Sequence, residues 1–146
     1  MNAGRYAGAV IAVWVVRTLL NWLFYGVYMM PQYEAATQQW AGAFREVVPA
    51  YIIADLIFAA AFVWLWTKAG GVFGSGAGGG ASYGFAVGLL VAVIPSIYHY
   101  YSVTYMSTTM WVTEIVYALV AHVVIGVVAA MVYPAASGAA PRTAAA

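Results

Sequence analysis

Three charged side chains, Arg17, Asp55 and Glu114, interrupt apolar stretches that are each long enough to cross a bilayer. An ionisable group in hydrocarbon costs roughly 2.5–3.5 kcal/mol even on the lenient insertion scale. Such residues persist where they pair with one another or face a cavity. The chain has few other charges: 6% of its 146 residues are charged and 66% are hydrophobic. A soluble domain carries about 25% charged residues. A soluble fold of this length has no means of hiding so much apolar surface, so the expectation is an all-α, polytopic integral membrane four-helix bundle. The net charge of +1 leaves no electrostatic footprint for nucleic acid. The absence of cysteine removes disulfides, thiolate metal sites and cysteine nucleophiles together.

A spanning helix needs about 20 apolar residues. Four candidates emerge: about residues 6–30, closed by Pro31; 47–67, ending at Lys68 and two glycines; 80–98, entered from a glycine tract; and 110–133, stopped by Pro134. Residues 1–133 then form one transmembrane domain, and 134–146 a flexible tail. An even number of spans puts both termini on one side, with Arg5, Lys68 and Arg142; the other side carries Arg45 beside Glu46 and Glu34. The positive-inside rule places both termini in the cytoplasm. The Ala- and Gly-rich composition fits a bacterial inner membrane. The first span is too long for a signal peptide and carries Arg17 at its middle, so it is read as retained.

Between the first two spans, Tyr33, Ala36, Trp40, Phe44 and Val47 recur at helical spacing, which fits either a short interfacial helix or a plain loop. Residues 70–80 read as a flexible glycine-rich connector. The G-x-G-x-x-G match at Gly74, Gly76 and Gly79 lacks the preceding strand that dinucleotide binding requires.

Residues four apart share a helix face. In the third span this selects Gly80, Gly84, Gly88, Ala92 and Ser96, a small-residue ridge that lets a neighbouring backbone approach, within one chain or between chains. The fourth span has a comparable ridge of Glu114, Ala118, His122, Gly126 and Ala130. In the first, Arg17, Asn21 and Tyr25 align; in the second, Tyr51, Asp55 and Ala59. At 1.5 Å per residue, Arg17 lies roughly 20 Å below the outer boundary, Asp55 roughly 12 Å and His122 roughly 18 Å, with Glu114 shallower. Extended side chains bridge the first difference, so an Arg17–Asp55 pair is predicted. The set Arg17, Asn21, Asp55, Glu114 and His122 then has two readings. It fixes helix register as a neutralised polar cluster, or it lines a cavity that opens outward and binds a ligand or passes protons. Nine of the twelve tyrosines, among them Tyr25, Tyr98, Tyr101 and Tyr117, fall in the outer half, as an interfacial belt, an aromatic mouth or a docking surface. Pro95 is expected to kink or end the third span.

Catalytic signatures are lacking. His99 and His122 differ too much in depth to share a haem. Asp55, Glu114 and His122 lack metal-ligand spacing, and Ser96 has only His99 at one-turn distance as a base. No cofactor is implied, and a non-enzymatic role is the expectation. Three stretches, Trp22 to Gly26, the glycine-rich start of the third span and Trp111 to Gly126 with His122 inside it, carry a resemblance. By these the chain resembles bacterial four-helix membrane proteins of the domain-of-unknown-function type. Arg17 to Leu20 followed by Tyr25 and Gly26 is similar, more weakly, to the DoxX-like proteins. The resemblance implies architecture and no activity. Two functional classes follow. The first, and the main expectation, is an accessory or scaffold subunit of a membrane complex, with a membrane-protein partner or a second copy as its neighbour in the bilayer. The second is a small-molecule, lipid or proton binding or permeation protein that uses the polar cluster.

Overall fold

A computed structural model describes residues 2–38, 48–102 and 104–134. Its regular elements are all helical. Four helices are long and apolar enough to cross a membrane: α1 (Ala3–Thr37), α2 (Val48–Phe73), α3 (Gly76–Ser102) and α4 (Thr108–Val132). They pack antiparallel around a ring, α1 against α2 and α4, and α3 against α2 and α4. Asn2 caps α1 by accepting from the Arg5 amide (3.0 Å), and Ser107 caps α4 by accepting from Met110 (3.3 Å).

The helices are longer than the hydropathy pattern suggests, for local reasons. Pro31 does not close α1, and Pro95 neither ends nor breaks α3. Proline removes an N–H and crowds the carbonyl four residues back. In both helices a π-helical stretch comes just before the proline, Trp22–Met29 in α1 and Leu89–Val93 in α3. The wider register lets backbone groups near a proline find partners five residues back, as the Ile94 N–H does with the Leu89 carbonyl. α1 therefore absorbs residues 32–37, the first part of the suggested interfacial segment; Trp40, Phe44 and Val47 lie outside the described residues. At the other junction α2 runs past Lys68 and through both glycines to Phe73. The flexible connector is thereby corrected to Gly74 and Ser75 alone. Gly74 (φ 96°) and Gly76 (φ 63°) take left-handed conformations that make so short a turn feasible.

The bundle has two unlike halves. At the end that holds Asn2 and Tyr133, here the terminal end, Ala9, Val13, Ala59, Phe62, Val63, Trp66, Tyr83, Ile125 and Ala129 form a closed core. Polar tips inside it are tied to carbonyls: Tyr83 donates to Phe62 O (2.6 Å) and Trp66 Nε1 to Tyr133 O (2.7 Å). Tyr83→Phe is expected to cost about 1 kcal/mol, one buried hydrogen bond, as a lower midpoint in denaturant unfolding.

Within this half α3 and α4 touch backbone to backbone. A Cβ on Gly80 would collide with the Gly126 carbonyl, and one on Gly84 with that of His122. Gly88 abuts the His122 side chain. The ridge is thus used inside the chain. At the far end the helices separate into different company. Met29, Met106, Met110 and Trp111 join α1 to α4 in a second cluster, whereas α2 is exposed on every side from Val48 to Ala54.

Candidate functional site: a polar cavity at the bundle centre

Where the closed half gives way to the open one, the polar residues of three helices meet. Arg17 of α1 donates through Nε to Asp55 Oδ1 of α2 at 2.8 Å. Asp55 is 8% exposed. It also accepts from Thr18 Oγ1 (3.3 Å) and from Asn21 Nδ2, which lies 3.1 Å from both carboxylate oxygens. Asn21 Oδ1 in turn accepts from the Tyr117 hydroxyl of α4 at 2.8 Å. This is the geometry in which a buried ion pair is tolerated: charges matched and lone pairs filled. The Phe58 ring lies 3.9 Å from the guanidinium carbon and covers one face of it.

His122 sits on the same level, 5% exposed and edge-on to Phe58. Its Nδ1 lies 2.7 Å from the Ala118 carbonyl. A carbonyl only accepts, so Nδ1 carries the proton and Nε2 of the uncharged ring is an acceptor. That Nε2 is buried and has no hydrogen-bond partner among the described residues.

Several of these side chains line a half-open cavity of about 240 Å³. Its polar wall is Arg17, Asn21, Tyr25, Tyr117 and His122; its apolar wall is Phe58, Val91, Ala92, Ala118 and Ala121. Both π segments contribute, α1 through Tyr25 and α3 through Val91 and Ala92. Widened helices free space that regular ones would fill, and π turns recur at functional sites.

Of the five polar residues singled out by spacing, Arg17, Asn21 and His122 line the cavity, and Asp55 backs Arg17. Glu114 is not in the wall. It lies two turns farther along α4, within electrostatic range of Tyr25, and its Oε1 is buried without a partner among the described residues. Ala92 lies in the wall and not on the α3–α4 glycine contact. Three participants escaped the spacing argument. Thr18 is adjacent to Arg17, Phe58 is one turn from Asp55, and Tyr117 is recognisable only once α1 and α4 are known to be neighbours. His99 stands apart, exposed, beside Trp111. Among the described residues no group of three His, Cys, Asp or Glu side chains could hold a metal. Comparison with protein-family models, with curated proteins and with solved structures gives no match, so the chemistry of this cavity alone speaks for function.

Proposed function

We propose that the chain is an integral membrane protein that holds a small molecule in a pocket at mid-membrane, entered from the far end of the bundle. The observation that carries it is a cavity whose wall gathers polar side chains of α1 and α4 around the Arg17 guanidinium. Among the described residues Arg17 engages the protein through Nε and through the face against Phe58, and it lines the cavity with Asn21, Tyr25, Tyr117 and His122. Buried polar groups left unpaired are costly, and a polar recess in hydrocarbon is a functional site by default. Binding is favoured over permeation because the closed core of Phe62, Trp66, Tyr83 and Ile125 lies between the cavity and the terminal end.

Arg5 and Lys68 both lie toward the terminal end, which supports a cytoplasmic location for that end. The far end, with the exposed tyrosines Tyr51, Tyr98 and Tyr101, then faces outward.

Native mass spectrometry of protein extracted gently from its own membrane tests the proposal. A lone chain or homo-oligomer that keeps a small adduct is expected, with the adduct lost in Arg17→Met/Asp55→Leu, a variant that keeps the interior apolar and uncharged. Stoichiometric foreign subunits and no adduct would replace the binding role with the accessory one.

A further inference from the structure

Four helices in a ring meet at four seams, and three of these are bridged at the level of the cavity or beyond it. Arg17 with Asp55, and the Trp14 indole N–H with the Ile52 carbonyl (3.1 Å), join α1 to α2. Asn21 with Tyr117, and the Phe24 ring stacked on Tyr117 at 3.8 Å, join α1 to α4. Gly88 against His122, and the Tyr100 hydroxyl 3.3 Å from Thr108 Oγ1, join α3 to α4. The fourth seam differs. α2 packs on α3 along Gly76–Gly88, and among the described residues the hydrogen bond and ring contacts between the two all involve Tyr83, in the closed half. Past Gly88 the cavity wall takes Phe58 from α2, and Val91 and Ala92 from α3. Farther out, α2 is exposed on every side from Val48 to Ala54. These contacts leave the α2–α3 seam as the unbridged side of the cavity.

Position and polarity then describe the occupant. Phe58, Val91 and Ala92 lie near the middles of their helices. In the proposed membrane location the seam therefore faces hydrocarbon, and a molecule that passes it comes from the lipid. A charged head is disfavoured on that route by the cost of an ion in hydrocarbon. Of the ion pair only Arg17 borders the cavity, with Asp55 behind it. Arginine donates hydrogen bonds and accepts none. Asn21 is occupied at both ends, donating to Asp55 and accepting from Tyr117. The Tyr25 hydroxyl in the same wall either donates or accepts, so it suits the oxygen that Arg17 requires. At about 240 Å³ the cavity is below the roughly 300–1,000 Å³ of sites for drug-sized ligands, so it takes a compact head and leaves a longer remainder in the seam.

We infer that the site takes a lipid-soluble molecule through the α2–α3 seam: a compact uncharged head turns a carbonyl-type oxygen to Arg17, and an apolar tail stays in the seam and the surrounding lipid. The inference rests on the cavity-binding function proposed above and makes its entrance lateral. Phe58 and Tyr25 offer ring surface to the head.

Alkylated acetophenones test this. Tritiated para-octylacetophenone is bound to the full chain in lipid nanodiscs, with every concentration expressed as mole fraction in the lipid and empty nanodiscs subtracted. The para-ethyl, octyl and dodecyl ketones are expected to compete within about threefold of one another, because a tail in the seam exchanges one apolar surround for another. A tail forced into water would weaken binding about fourfold per methylene, and such a fall with length overturns the lateral entrance. The hydrocarbon para-octylcumene keeps the shape without the oxygen and is expected to bind about tenfold more weakly than the octyl ketone. In Arg17→Met/Asp55→Leu, folded by circular dichroism, that difference is expected to vanish. A difference absent from the wild-type chain, or unchanged in the variant, overturns the role of Arg17. Tighter binding of para-octylbenzoate than of the octyl ketone overturns neutrality. No saturable binding of the octyl ketone also overturns the inference. If native mass spectrometry still finds an adduct that Arg17→Met/Asp55→Leu loses, the binding function survives that failure; if it finds none, both fall.

Discussion

Asp55→Leu lowers the stability of the bundle by about 3–5 kcal/mol, because it leaves Arg17 charged and unpaired in the interior. The same substitution also frees Asn21 Nδ2 and the Thr18 hydroxyl, both of which now donate to Asp55. Removing both charges is expected to be far milder than removing one. Arg17→Met/Asp55→Leu should recover most of the loss, since replacing a buried pair by apolar groups of similar volume is often neutral. The measurement is a double-mutant cycle by denaturant unfolding in a fixed detergent, followed by helical circular dichroism. A double variant as unstable as Asp55→Leu would mean that the Asp55 site matters for its packing and not for its charge.

The second large effect lies at the α3–α4 contact. Gly84→Ala forces a Cβ onto the His122 carbonyl, which belongs to backbone and cannot swing aside. Overpacking of this kind typically costs about 1–3 kcal/mol, and Gly84→Leu, which must push the two helices apart, should cost more. Gly78 in the same glycine tract is the control, since a Cβ there meets nothing within 4 Å. Gly78→Ala is expected to be neutral or to stabilise by up to about 1 kcal/mol through helix propensity. Similar losses at Gly78 and Gly84 would show that the tract is sensitive to any side chain and that the close approach is not what holds α3.

How much of this was legible in the sequence depended on the range of the interaction. The four long helices follow from hydropathy, because each is a local property of about 20 residues. The Arg17–Asp55 pair followed from depth, since the low-dielectric interior leaves an unmatched charge few options. The glycine ridge was legible as a ridge, but its partner was not, because Gly126 and Gly80 become neighbours only through the ring order of the helices. Boundaries were the weak point. Pro31 was read as a stop and Pro95 as a kink or an end, which holds for α-helical hydrogen bonding; the π turns ahead of Pro31 and Pro95 change the bonding rule itself. Glycines 70 and 71 were read as a break, yet Gly70 is covered by the Trp66 ring and keeps its helical conformation. Glu114 was grouped with the cluster by its stripe on α4. The stripe fixes direction around the helix but not distance along it, and two turns separate Glu114 from His122.

The Arg17–Asp55 pair joins helices that are consecutive in the chain, and under the proposed membrane location this bears on biosynthesis. A first helix that enters the bilayer alone exposes Arg17 to lipid, at roughly 2.5–3.5 kcal/mol on the insertion scale; a second alone exposes Asp55 at a similar cost. Both costs fall when the two segments leave the insertion machinery as a hairpin with the pair already made. Nascent chains long enough to expose only α1 should therefore linger at the machinery, and release should coincide with emergence of the stretch around Asp55.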